Sequence, residues 1–211
     1  VSTFDLAVGT LSATLSQWPS SCDGVFVANS HDMKIQTNYY KIPKNKVHII
    51  GIPKLDREMS RLKQKIGNAE KQDRIFLALQ HGNRERNIKL VLAIADVSKK
   101  LRCKAVVGVH PREEETVRSE IISMCQRLGD QISISTEPGI ISVSKSKYCV
   151  TFFSAIAIEA FALNVRVIAL NILKENWPVR LSKIGIAEEA SSGHELIQLL
   201  SNDQPKPSDQ K

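Results

Sequence analysis

"RIFLALQHGNRERNIKLVLAIADVSKKLRCKAVVGVHP", residues 74–111, contains a strand, a helix and a second strand in succession. Residues 74–80 are a short apolar run closed by a polar turn, and residues 85–101 carry apolar side chains at helical spacing. Residues 104–110 are apolar again and end on His110 and Pro111. Neither strand alternates apolar with polar, so each is buried on both faces. Two such strands joined by a helix must run parallel, because only a crossover connection can bring the chain back to the starting edge.

The unit then repeats. A helix is predicted over 112–128, strands over 131–135 and 148–153, a short helix within 139–146, a helix over 154–163 and a strand over 165–171. Regular strand–helix alternation from residue 74 predicts an α/β fold, a doubly wound parallel sheet with helices on both faces. Upstream, "DGVFVAN" (23–29) and "KVHIIGIP" (46–53) read as strands, with a helix over 30–42 capped by Ser30. Residues 54–73 are polar and charged and read as a surface helix and linker. The expected organisation is a remnant of a preceding domain over 1–53, the linker over 54–73, the main domain over 74–200, and a disordered tail over 201–211 without apolar anchors. The start, "VSTFDL", opens inside a strand, with no initiating methionine and no basic leader, and suggests a piece of a longer chain. The remnant is expected to pack irregularly or to pair with a second copy over an exposed sheet edge.

The 211 residues carry a net charge of +7, with 42% hydrophobic and 24% charged side chains. That balance is ordinary for a globular protein, and the charge favours phosphates, nucleotides or an acidic membrane surface as partners. No run approaches the length of a membrane span. Aromatics are 5% and form no stacking series, which argues against nucleic acid. Cys22, Cys103, Cys125 and Cys149 lack ligand spacing, so no metal is expected, and Cys103 and Cys149 read as buried small hydrophobes in a reducing cytoplasm.

In doubly wound folds ligands bind beyond the carboxyl ends of the strands, where helix N-termini present unpaired N–H groups. The turns at that edge are Gln80-His81-Gly82-Asn83-Arg84, His110-Pro111-Arg112, Thr136-Glu137-Pro138-Gly139 and Phe153-Ser154-Ala155. Gly82 permits a tight turn and close approach to a phosphate, and Arg84 or Arg86 can pair with it, although a plain turn with solvated arginines fits equally. Pro111 holds His110 extended, so its ring projects from the strand end as a ligand donor or a local cap. Ser154 is positioned to cap the following helix. Glu159 lies in that helix beside Ile156, Ile158 and Phe161, where it either meets a hydrogen-bond donor such as a ribose or points along a polar edge.

With these motifs in order, the chain resembles the carboxyl-terminal half of GT-B glycosyltransferases, the related UDP-N-acetylglucosamine 2-epimerases, and capsule and teichoic-acid polymerases. "KVHIIGIPKLD" resembles the handover between their two Rossmann-like domains, "LQHGNRERN" the first loop of the second domain, "VHP" its next strand end, and "SAIAIEAFALNVRVIAL" the helix and strand closing the donor pocket. The resemblance spans roughly residues 20–172. It implies that Glu159 binds ribose hydroxyls and that Ser154 with the Ala155 amide holds phosphates. His110, with Pro111 and Arg112, would stand near the phosphates or base, and Gly82, Asn83 and Arg84 would line the pyrophosphate side. It further implies a metal-independent glycosyltransferase without a cofactor, acting in polysaccharide biosynthesis from a nucleotide-sugar donor to a glycan or lipid acceptor. Peripheral membrane association and self-association are compatible with that role. The alternatives are a sugar-nucleotide 2-epimerase and a non-catalytic nucleotide-binding module. The turn "FSAIAIE" departs from the "SGG" of the epimerases, and the resemblance implies that the catalytic base comes from a preceding domain of which residues 1–53 are expected to be a remnant.

Overall fold

The computed structural model describes residues 4–6, 23–66, 71–177 and 180–202. The expectations for residues 1–3, for Cys22 and for the tail beyond residue 202 lie outside these. Contacts divide the chain into two compact units, with the break after residue 67.

The first unit holds a parallel sheet of β1 (Phe4–Leu6), β2 (Gly24–Val27) and β3 (Val47–Ile49), in that order. Val25, Val27 and Val47 form its small core, against Met33 and Ile42. Helix α1 (Ser30–Lys34) is capped by Asn29 and not by Ser30. Asn29 is the last extended residue, and its Oδ1 accepts the Asp32 N–H at 3.0 Å. Burial pushes the Asp32 carboxyl up to about 6, against a backbone hydrogen bond from Ala28. The helix does not run evenly to residue 42. It passes into a π-helical turn over Ile35–Tyr39 and is stopped by Lys41, at φ 59. Helix α2 (Pro53–Ile66) lies where the sequence reads as a surface helix and linker over 54–73, and it groups with this unit.

The second unit is the predicted doubly wound sheet. Its strands are β4 (Gln72–Ala78), β5 (Lys104–Gly108), β6 (Ile132–Ile134), β7 (Ser146–Thr151), β8 (Arg166–Leu170) and β9 (Glu188–Ala190). They run β6-β5-β4-β7-β8-β9, all parallel. The chain thus starts in the middle, builds outward to β6, returns beside β4 and builds the other way. That reversal places the topological switch point at the ends of β4 and β7, where doubly wound folds form their ligand crevice. Helices α3 (Arg84–Leu101), α4 (Glu115–Leu128), α5 (Gly139–Ser144), α6 (Ile156–Ala162) and α7 (Gly193–Ser201) connect or follow the strands. Ile75, Leu77, Leu90, Ile94, Val107, Ile121, Ile168 and Leu196 are wholly buried between the sheet and its helices. Because the strands are parallel neighbours, the turns after β4, β5, β6 and β7 all leave the sheet along one edge, as the alternation predicted.

Two elements escape the sequence reading. β9 is "EEA", with no apolar run, and it is a strand only because its backbone pairs with β8. Helix α7 follows it, capped by Ser192, whose side chain accepts the Glu195 N–H at 3.2 Å.

Phe76 is 1% exposed and sets how closely its neighbours approach. A Cβ at Gly108 would lie 2.5 Å from the end of its ring, so β5 passes over Phe76 only as glycine. Gly108→Ala is therefore expected to cost about 1–2 kcal/mol by overpacking. A lowered melting temperature would check this. An unchanged one would show that the ring can move aside.

Candidate functional site

The turn after β4 runs through Leu79, Gln80, His81 and Gly82 to Asn83. Gly82 takes φ +89, a left-handed conformation that favours glycine, and the space where its side chain would stand is open. Asn83 caps α3, its Oδ1 accepting the Arg86 N–H at 2.9 Å. The positive end of an 18-residue helix is thereby fixed beside the crevice. Across the crevice, the Thr151 hydroxyl donates to the Ala78 carbonyl at 2.9 Å and locks the ends of β4 and β7 together.

On the adjacent β5, the chain exits through Val109 to His110. The His110 Nδ1 accepts the Arg112 N–H at 3.1 Å, which leaves the proton of the neutral ring on Nε2, pointing away. The rings of His110 and His81 lie 5.6 Å apart. Partial burial holds the His110 pKa below the ordinary histidine range, helped by the neighbouring His81 and Arg112. Neutral imidazole is therefore its resting form at neutral pH.

A buried polar layer under these turns holds them in register. Asn87, fully buried on α3, donates to the Gln80 carbonyl at 2.6 Å and to the Glu113 carboxylate at 3.0 Å. Glu113, 8% exposed, in turn donates its N–H to the His110 carbonyl at 3.0 Å. Arg118 of α4 donates to the same carbonyl at 3.0 Å and to that of Pro111 at 3.3 Å. The sequence reading missed this layer, although one signal was present. Asn87 is in phase with the apolar stripe Leu90, Val91, Ile94 and Val97, a polar residue where the helix should be apolar.

The arginines are arranged otherwise than the sequence suggests. Arg84 forms a two-point pair with Glu120 of α4, its Nε reaching Oε2 at 2.7 Å. Arg86 binds Glu175 at 2.8 Å and lies 4.4 Å over the Phe152 ring. Glu175 is itself held by Asn171, which accepts its N–H at 2.9 Å and donates to its carbonyl at 2.7 Å. Arg86 therefore ties the turn after β8 to the helix after β4. Arg112 is exposed, and its guanidinium makes no hydrogen bond or ion pair among the described residues. It is the better-placed cation for an arriving anion.

Ser154 does not cap α6. Ala155 occupies the cap position in helical geometry without a side-chain bond, and Ser154 contributes only its carbonyl, to the Ala157 N–H at 3.0 Å. The helix buries its small face, Ala157 and Ala160, on the sheet. Glu159 is half-buried and Phe161 is 42% exposed, so the carboxylate is not set within a deep apolar core. The Cys149 thiol of β7 is pushed up to about 12, first by burial and then by the Glu159 charge. Cys103 is half-buried and Cys125 buried; both are free thiols.

The structure thus gathers Gly82, Asn83, His110, Pro111, Arg112, Ser154 and Ala155 along one edge, with His81 added. Arg84 stands on the same turn but is directed to Glu120. Among the described residues no cluster of three or more metal-ligating side chains occurs, and no helix is long and apolar enough to cross a membrane. Two surface cavities, of about 510 and 460 Å³, lie elsewhere, against the edge strand β6 and the end of α4.

No family model matches the chain, and no curated protein sequence matches it. Solved structures do. UDP-GlcNAc 2-epimerase from Methanocaldococcus jannaschii, in complex with UDP-GlcNAc and UDP, superposes with a TM-score of 0.67 at 18% identity, over 87% of this chain and 55% of that one. A glycosyltransferase from Rickettsia africae gives 0.55 at 14% identity, over 94% and 59%. The wall teichoic acid polymerase TagF gives 0.55 at 12%, over 86% and 48%. All share one architecture. The fold is Rossmann-like, of the GT-B kind. The chain spans about half the length of the GT-B proteins it matches.

Proposed function

We propose that the second unit binds a nucleotide-sugar by its diphosphate, across the crevice between β4 and β7, for transfer of the sugar to a glycan or lipid acceptor. One observation carries this reading. Two imidazoles 5.6 Å apart stand at the ends of adjacent strands, beside the capped N-terminus of α3 and the open turn at Gly82. Imidazole N–H groups, helix amides and the Arg112 guanidinium are all donors, and together they suit a polyanion whose charge grows as a leaving nucleotide departs. Ser154 and Ala155 border the crevice on the β7 side, and Glu159 accepts from the ribose hydroxyls.

A thermal-shift panel of UDP, CDP, GDP and CMP species tests the binding. At a hundred times its dissociation constant, a true ligand adds roughly 2.7 kcal/mol of stability. No shift with any of them would remove the proposal.

A sugar-nucleotide 2-epimerase is the second reading. The same histidine pair favours it, because two close imidazoles can take and return a proton at a sugar carbon. Conversion of UDP-GlcNAc to its 2-epimer without acceptor would select it. Tight binding with neither transfer nor epimerisation in the longest form of the protein would mark a non-catalytic nucleotide-binding module.

His110 also sets a pH dependence. The free His110 titrates below the ordinary histidine value, and a bound diphosphate raises its pKa by favouring the charged ring. Binding then takes up a proton, so affinity rises as pH falls toward the free value. UDP-GlcNAc is expected to bind roughly fivefold tighter at about pH 5.5 than at about pH 7.5. Calorimetry at both values checks this, and His110→Gln should flatten the profile.

A further inference from the structure

Several cations of the second unit are matched by acids. Lys89 pairs with Glu85, Lys100 with Asp96, Lys145 with Glu137, Arg84 with Glu120 and Arg166 with Glu188. The first unit differs. Between Asp32 and Asp56 there is no acidic residue, but there are five lysines: Lys34, Lys41, Lys44, Lys46 and Lys54. Lys41, Lys44 and Lys46 stand exposed in the turn that joins the π-helical segment to β3, without ion pairs among the described residues. Tyr39, at the start of that turn, is 64% exposed and packs edge-on against Tyr40 with 5.0 Å between ring centres. The turn is built, not loose. Tyr40 N–H donates to Ile35 at 3.3 Å, Ile42 N–H to Gln36 at 3.0 Å and Lys46 N–H to Pro43 at 2.9 Å.

We propose that this turn, residues 39–46, docks on an anionic lipid surface. Tyr39 enters the headgroup layer, and Lys41, Lys44 and Lys46 lie over acidic headgroups. A tyrosine suits such a boundary because its ring is apolar and its hydroxyl stays wet. Lysines act there as compact charges attracted by the surface potential. Nucleic acid fits less well, since the turn offers no guanidinium and too few rings for a stacking platform. The inference is independent of the nucleotide-sugar reading, which concerns the other unit.

Lys41 supplies a clean probe. Its left-handed backbone, φ 59, lies at a helix C-terminus where glycine is unstrained. Lys41→Gly therefore removes a charge while easing the backbone, and a loss of binding cannot be ascribed to unfolding.

The test is co-sedimentation of the full chain with phosphatidylcholine vesicles, with and without phosphatidylserine, over a range of salt. Binding is expected only with phosphatidylserine and should fade as salt rises. Each lysine near the surface contributes roughly fivefold, so Lys44→Ala with Lys46→Ala should weaken binding about 25-fold. Lys41→Gly should weaken it about fivefold with no fall in melting temperature. Tyr39→Ser should weaken it several-fold without altering the salt dependence. Equal binding to both vesicles, no binding to either, or indifference to the lysine changes would overturn the proposal. Lysine-dependent retention of a single-stranded oligonucleotide without vesicle binding would overturn it in favour of nucleic acid.

Discussion

Replacement of Asn87 by alanine is expected to destabilise the second unit by about 3 kcal/mol, the combined effect of two lost donors in a buried site. Asn87 is fully buried and gives one hydrogen to the Gln80 carbonyl and the other to the Glu113 carboxylate. Alanine cannot replace either bond, and the vacated space is enclosed by α3 and the two turns. The Glu113 carboxylate, buried with Asn87, loses a donor at about 1–3 kcal/mol, and the half-buried Gln80 carbonyl adds a smaller cost. In a chain of this size 3 kcal/mol corresponds to a melting temperature lower by roughly 6–12 °C. Glu113→Leu in the alanine background should recover part of the loss, because it removes the stranded charge. A double-mutant cycle measures that coupling, and strictly additive effects would show that the two side chains do not act together. Nucleotide affinity should fall with stability, since Asn87 spans the turns that carry His81 and His110.

The same residue shows where reading the sequence succeeds and where it stops. Strands apolar on both faces, separated by helices, leave few arrangements other than a parallel sheet, and β4 to β8 formed within about two residues of the expected spans. The edge carrying the ligand turns followed from that topology alone. The nearness of His81 to His110 did not, because it requires knowing that β4 and β5 are neighbours. The partners of Arg84 and Arg86 were hidden for a similar reason. Glu120 and Glu175 lie 36 and 89 residues away, and no local pattern marks them. β9 was illegible on different grounds. "EEA" has no strand character of its own; pairing with β8 and the Arg166–Glu188 bridge make it one.

Glu159→Ala is expected to weaken nucleotide-sugar binding by roughly 1.5–3 kcal/mol, about 10- to 150-fold, the range for hydrogen bonds to a charged group. The argument rests on position and chemistry together. Glu159 is half-buried in α6, the helix that follows the β7 turn bordering the crevice, and its charge is felt by the buried Cys149. A carboxylate so placed, partly shielded from water, accepts strongly from two adjacent hydroxyls. Its removal should leave the fold intact, because α6 packs through Ala157 and Ala160 and alanine favours helix. Glu159→Gln, which keeps an acceptor without the charge, should fall between the wild type and the alanine variant. A structural role makes the opposite forecast. If the carboxylate serves only to hold α6 against its surroundings, both variants should melt earlier while the folded fraction binds nucleotide as before. Calorimetric titration alongside melting curves separates the two, and unchanged affinity in the alanine variant would reject Glu159 as the ribose ligand. Adenosine-free probes such as UDP and 2′-deoxy-UDP sharpen the result. Loss of the 2′-hydroxyl should weaken binding to the wild type and make little difference once Glu159 is gone.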